Sequence, residues 1–211
     1  MGYCMNKPME YDVENLKTIT GAIILAGGLG ERLKAVGLKP FLWYRGKSFL
    51  QIAVENIKSI GLSPLVIVAN ELSHQKIVAL KLPAKILINH HPEHGMLSSI
   101  LIGLQEIESS CGGFFLCSID YPLVLPTTFQ KLLLAHQSNP DRIIKPVFNN
   151  QPGHPVVIPK NLFQALHNAP LDQGARFVIR QWAHLTLNIA VDDPGILINI
   201  NTPELYYQHC K

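Results

Sequence analysis

Gly21-Ala22-Ile23-Ile24-Leu25-Ala26-Gly27-Gly28-Leu29-Gly30-Glu31-Arg32 is the most informative stretch of the chain. It begins as a short apolar run and ends in glycines. Such a run reads as a parallel strand buried on both faces. Glycines 27, 28 and 30 remove side chains where backbone must approach a ligand, and consecutive amides can then point inward as an anion nest. Arg32 adds a planar, permanently charged fork for a phosphate, and Lys39 a point charge further along. By itself the run is equally readable as a glycine turn between a strand and a helix.

Outward from this loop the chain alternates strand and helix. Residues 49–60 carry Leu50, Ala53, Val54, Ile57 and Ile60 at helical spacing, and Gly61 follows as a stop. Strands are expected over 64–69, 84–88 and 113–118, with helices over 73–80, 96–107 and 127–136, the last opened by Pro126. This rhythm implies a single-domain, doubly wound α/β sheet, mostly parallel and covered on both faces, a three-layer α/β/α architecture. Right-handed crossovers place the loops after the first and fourth strands on one sheet edge, so the glycine loop and Asp120 should share a cleft there. From about residue 142 the rhythm changes to short strands at 143–148, 155–158, 185–189 and 195–200, with irregular linkers between them. These read as a substrate-facing elaboration of the same sheet. Residues 1–18 stand apart as an N-terminal extension to a domain over 19–208.

Composition bounds the function. A chain of 211 residues, 47% hydrophobic and 16% charged, can bury one substantial core. Its apolar runs fall far below the ~20 residues that span a bilayer. The N-terminus has no basic start followed by an apolar stretch, and Asn6 stands where a myristoylation motif wants Ser or Thr. Cys4, Cys111, Cys117 and Cys210 show no metal spacing and read as reduced thiols of a cytoplasmic protein. A net charge of +3 is too small and scattered for nucleic acid. No membrane partner is expected either.

Two rival phosphate loops fail. The dinucleotide fingerprint GxGxxG meets Leu33 at its third glycine. Gly46-Lys47-Ser48 matches the tail of GxxxxGK[ST], but Phe41 sits at the first glycine, so this is the turn before the next helix. Asp120, in Ser118-Ile119-Asp120-Tyr121-Pro122, ends an apolar strand. A carboxylate there can hold magnesium against triphosphate oxygens, or simply cap a turn.

Together these segments resemble the MobA-like nucleotidyltransferase superfamily, whose fold is that of the nucleotide-diphospho-sugar transferases. Leu25-Ala26-Gly27-Gly28-x-Gly-x-Arg with Lys39-Pro40 matches its signature loop. Gly46-Lys47-Ser48-Phe49-Leu50 resembles its G-K-P-L-L, Gly95-Met96-Leu97-Ser98-Ser99-Ile100 its G-M-x-x-S-L, and Asp120-Tyr121-Pro122 its D-x-P. Gly153-His154-Pro155-Val156 resembles G-H-P-V, Asp172-Gln173-Gly174-Ala175-Arg176 resembles D-x-G-A-R, and Asn201-Thr202-Pro203-Glu204 resembles D-T-P-E.

The resemblance implies transfer of CMP or GMP from CTP or GTP to the phosphate of molybdopterin, with Mg2+ and release of pyrophosphate. A molybdoenzyme or chaperone is the implied protein partner. Leu25, Ala26, Gly27, Gly28, Gly30 and Arg32 would hold the triphosphate, with Lys39 at the α-phosphate. Asn89, Gly95 and Ser98 would surround base and ribose. Asp120 would be the main metal ligand and Asn201 would replace a second acidic one. His154, Asp172 and Arg176 would line the acceptor side. An acceptor phosphate is already nucleophilic, so Arg32, Lys39 and a metal on Asp120 supply what the reaction needs, positioning and charge neutralisation.

Asn199-Ile200-Asn201 departs from the family's D-I-D, and an amide ligand binds magnesium less tightly. The loop looks guanylyl-specific and the later segments cytidylyl-specific, so the base stays open. A sugar, polyol or phosphonate phosphate is an alternative acceptor, and a non-catalytic nucleotide-binding or chaperone-like protein an alternative class. His90, His91 and His94 read as a polar loop, because Pro92 interrupts a helix and no acidic or cysteine partner has zinc spacing. His154, framed by glycine and proline, is equally a structural histidine. Trp43 and Trp182 read as packing residues.

Overall fold

The computed structural model describes residues 19–28 and 30–211. The N-terminal extension, with Gly2 and Cys4, lies outside the described residues, as does Leu29. The strands are β1 (Thr20–Leu25), β2 (Trp43–Tyr44), β3 (Lys47–Ser48), β4 (Leu65–Asn70), β5 (Lys85–Asn89), β6 (Gly113–Ser118), β7 (Ile143–Phe148), β8 (Gln151–Pro152), β9 (Val156–Pro159) and β10 (Thr186–Ala190). The helices are α1 (Phe49–Ser59), α2 (Glu71–Ala79), α3 (Met96–Ile107), α4 (Pro126–Ser138), α5 (Phe163–His167), α6 (Gly174–Gln181) and α7 (Pro203–Cys210).

The main sheet runs β10-β7-β9-β6-β1-β4-β5, with β8 paired to β7. Central β1 is parallel to both β6 and β4. β5 is parallel to β4 and β10 to β7, whereas β9 runs against both β6 and β7. Every residue of β1 and β4 is buried, because helices cover both sheet faces. Ile24 points with Ile67 and Phe115 toward Leu50, Val54 and Ile57 of α1 and Leu132 of α4. Ile23 points with Val66 and Phe114 the other way, toward Leu97, Ile100 and Leu104 of α3. Each such side chain contributes roughly 1.5–3 kcal/mol on burial. A one-residue slip of β1 would exchange the two sets, so the register is strongly held. Among the described residues no helix is long and apolar enough to cross a membrane.

Local chemistry explains the element boundaries. Gly46-Lys47-Ser48 is a helix start: Ser48 Oγ accepts from Gln51 N at 3.2 Å while Gln51 Oε1 accepts from Ser48 N at 2.9 Å. This reciprocal cap fixes the first turn of α1. Helix α2 starts earlier than expected, because Asn70 caps it by accepting from Ser73 N at 3.0 Å.

Two expectations in the second half are corrected. No strand forms over 195–200. Pro194–Leu197 is instead a 3-10 turn, started by proline and capped by Asp193, whose Oδ1 accepts from Gly195 N at 2.9 Å. The segment before β9 also holds a hairpin where an irregular linker was expected. Asn149 and Asn150, at φ 48° and 62°, join β7 to β8. Two successive positive-φ residues are the geometry of a tight two-residue hairpin.

Candidate functional site

Leu25 ends β1 opposite Ser118, the end of β6. The glycine loop and Asp120 therefore leave the same carboxyl edge side by side, as the crossover argument requires. Asn70, at the end of neighbouring β4, donates from Nδ2 to the Gly27 carbonyl at 3.0 Å and braces the loop from the side. Gly30 sits at φ 58°, the left-handed region, where it opens the 3-10 turn Glu31–Leu33. Leu33 of that turn packs with Leu42, Phe49, Ile200 and Tyr206, which ties the loop to the C-terminal segment. Asp120 is pinned from the same side, its carbonyl accepting from Ile200 N at 2.8 Å.

Lys39 meets Asp120 across this edge. Its Nζ lies 3.5 Å from Asp120 Oδ2 and donates to Asn201 Oδ1. Burial pushes the Lys39 ammonium below its ordinary pKa, Asp120 opposes that shift, and Arg32 adds to it. Arg32 itself is exposed. Asp120 Oδ1 and Asn199 Oδ1 are both buried without a hydrogen-bond partner. A buried carboxylate oxygen left unpaired is costly unless something binds it. Oxygen donors of this kind suit a hard divalent cation. Asn201 Oδ1, expected as the second ligand, is taken by Lys39, and Asn199 Oδ1 is the unpaired amide oxygen.

A cleft of about 720 Å³ opens beside Asp120. Leu25, Gly95, Asp120, His154, Asp172 and Arg176 line it, so six of the expected residues come together. His154 stacks on Tyr121 with ring centroids 4.7 Å apart. Burial holds the His154 imidazole below its usual pKa, Asp120 opposes, and Lys145 and Arg176 push it further down. Burial likewise lowers Lys145, with Arg176 adding repulsion. Lys145, Arg176 and Arg180 all line the cleft, and among the described residues none of the three is in an ion pair. Unpaired cations crowded in a half-buried cleft favour an anionic ligand. Ala26, Gly28, Gly30 and Lys39 line a separate, much smaller recess.

Asn89 and Ser98 line neither. Asn89 Nδ2 donates to Ser98 Oγ and Ser99 Oγ, both at 2.8 Å, and its Oδ1 accepts from His91 N at 2.9 Å. With the amide so engaged, the pair holds the 90–95 turn instead of presenting groups to the cleft. Gly27 is also enclosed, because a Cβ there would sit 3.2 Å from the Ala69 carbonyl carbon. Lys145 was missed by sequence reading, although a lone cation in the apolar run Ile143-Ile144-Lys145-Pro146-Val147-Phe148 was a visible signal.

The histidine-rich turn differs from expectation as well. Pro92 does not merely interrupt a helix; it opens the 3-10 turn Pro92–His94. That turn brings His91, Glu93 and His94 together, whereas His90 Nδ1 reaches Glu71 at 2.8 Å.

Residues 22–186 match the family described as MobA-like NTP transferase domain. Among solved structures, Rv0371c of Mycobacterium tuberculosis superposes with a TM-score of 0.78 at 22% identity, over 91% of this chain and 96% of that one. Its manganese complex matches at 0.75 and 20%, over 91% and 97%. Molybdopterin-guanine dinucleotide biosynthesis protein A of Archaeoglobus fulgidus matches at 0.66 and 18%, over 90% and 96%. Likenesses at these identities show a shared fold.

Proposed function

The chain belongs to the MobA-like NTP transferase family, and from that premise we propose that it moves a CMP or GMP group from CTP or GTP to the phosphate of molybdopterin. The observation that carries this reading is Lys39 beside Asp120, with Asp120 Oδ1 buried and unpaired at the edge where the glycine loop ends. The loop amides of Gly27, Gly28 and Gly30 hold the triphosphate, and Arg32 folds over it with its donor fork. Lys39 leaves Asn201 to neutralise charge growing on the α-phosphoryl group. On the other side Lys145, Arg176 and Arg180 hold the acceptor phosphate in line with it, and Tyr121 and His154 form one wall. No base is needed, since the acceptor phosphate is already an anion, and charge stabilisation carries the reaction.

Magnesium, held by Asp120 with Asn199 or Asn201, would supply further neutralisation of the triphosphate. The manganese complex of the mycobacterial relative supports a divalent cation in this fold. A second reading keeps the chemistry and replaces the acceptor with a sugar, polyol or phosphonate phosphate. The free cations Lys145, Arg176 and Arg180 favour it equally, because they recognise a phosphate whatever carries it.

Pyrophosphate release with each nucleotide, measured against molybdopterin and a panel of phosphorylated sugars and polyols, tests both. Release with molybdopterin alone supports the first reading, and release with another acceptor replaces it by the second. If no pairing releases pyrophosphate while CTP or GTP still binds, a non-catalytic nucleotide-binding role takes the place of both.

A further inference from the structure

The 90–95 turn carries a chemical group that nucleotide transfer does not use. A 3-10 helix has 3.0 residues per turn, so side chains three apart eclipse one another. His91 and His94 flank such a turn, and their rings stack with centroids 5.1 Å apart and planes 16° from parallel. Glu93 stands between them, 3.0 Å from His91 Nδ1 and 4.0 Å from His94 Nε2 through the same carboxylate oxygen. One ligand atom from each residue lies within 4.8 Å of the other two. Ligands bonded to zinc at about 2.0–2.1 Å in a tetrahedron stand about 3.3 Å apart. A shift of up to about 1.5 Å closes that difference, with the stacked rings turning so that their nitrogens converge, which exposed side chains do on a picosecond-to-nanosecond scale.

The backbone under them is held in advance. Buried Asn89 accepts from His91 N, His94 N donates to the His91 carbonyl at 3.1 Å, and Gly95 N donates to the Pro92 carbonyl at 3.1 Å. We propose that His91, Glu93 and His94 form a second metal site, for a divalent transition-metal ion of the zinc class. Two imidazoles are borderline nitrogen ligands, which a hard carboxylate does not outweigh, so the set suits zinc, cobalt or nickel over magnesium. The site is thus chemically distinct from the oxygen donors around Asp120. Three protein ligands leave at least one position open. Glu93 and His94 also line the cleft, so the site stands at its rim, and a cleft ligand carrying a thiolate or carboxylate can complete the coordination.

The test titrates the full chain, free of any histidine tag, with Co2+ and follows the visible absorption of the bound ion. With Mg2+ in excess to fill the oxygen donors around Asp120, one equivalent is expected to bind, to be displaced by Zn2+, and to lack the sulfur charge-transfer bands that cysteine ligands add. His91→Ala with His94→Ala should weaken binding more than about 100-fold, and Glu93→Gln by about tenfold. His90→Ala and Asp120→Asn should leave it unchanged. The ligands are exposed, so these variants should keep the parent's melting temperature without metal, and Glu93→Gln preserves side-chain shape as a second check. Absent Co2+ absorption, binding untouched by the double substitution, or binding lost in Asp120→Asn alone would each overturn the proposal.

Discussion

Lys39 and Asp120 are the pair on which the site's electrostatics turn, and a double-mutant cycle measures how strongly. Their charged atoms are 3.5 Å apart, with side chains only 14% and 12% exposed. Coulomb's law at an effective dielectric of ~20 gives about 5 kcal/mol of attraction at that separation. The burial of Lys39 opposes it, as its lowered pKa shows. Lys39→Met keeps the packing of the stem and deletes the ammonium. Asp120 then remains buried without its counter-charge, a loss of about 3–5 kcal/mol. Asp120→Asn alone leaves the ammonium buried against a neutral amide and is also destabilising. The double variant has neither uncompensated charge, so its loss should fall short of the sum of the single losses by about 2–4 kcal/mol. Urea unfolding at pH 7 of the four proteins gives this coupling energy directly. A coupling below about 0.5 kcal/mol would show that the pair does not interact in the folded protein, and the account of the site would fall with it.

Three further outcomes follow from individual side chains. His136 is buried with both ring nitrogens unpartnered, and burial lowers its pKa below 6.5, so the unfolded chain binds the proton more readily. Stability should therefore drop as pH falls through about 6.5, and His136→Leu should flatten a melting profile between pH 8 and 5; an unchanged slope would refute this. At Gly153 a Cβ would collide with the Ile196 carbonyl, so Gly153→Ala should cost about 1–3 kcal/mol in urea unfolding, and a neutral result would mean that the 196 backbone yields. Lys145→Met should lower kcat/KM for the acceptor about 10- to 100-fold while leaving the nucleotide KM unchanged; an equal effect on the nucleotide would move Lys145 out of the acceptor side.

The parts that were legible in the sequence are those where one physical signal dominates. Continuous apolar runs located β1, β4 and β6, because strands covered on both faces tolerate almost nothing else. The chirality of crossovers then brought the glycine loop to Asp120 without any knowledge of side-chain contacts. Asn89 was harder: an amide beside a polar loop serves a ligand or a turn equally well, and its three turn partners become visible only in the fold. Pro92 misled for a related reason. Proline is forbidden inside a helix but favoured at its first position, so the same residue that argued against a histidine cluster starts the turn that assembles one.

The direction of β9 is what allows two distant motifs to meet. In a wholly parallel sheet every strand would begin at the edge opposite the site, and Gly153-His154-Pro155 would lie far from Asp120. β9 instead runs against β6, with Val156, its first residue, beside Leu116 near the end of β6. The residues just before β9 therefore arrive at the edge that β6 has just left, and His154 stacks on Tyr121, one residue beyond Asp120. The tight hairpin at Asn149 and Asn150 helps bring the chain back along that edge before β9 begins. Reversal of one strand thus adds a wall to the cleft beside a sheet whose parallel strands present the glycine loop and Asp120. The short, turn-rich second half of the sequence is the record of that reversal, since each change of direction needs a turn where a crossover helix would otherwise stand.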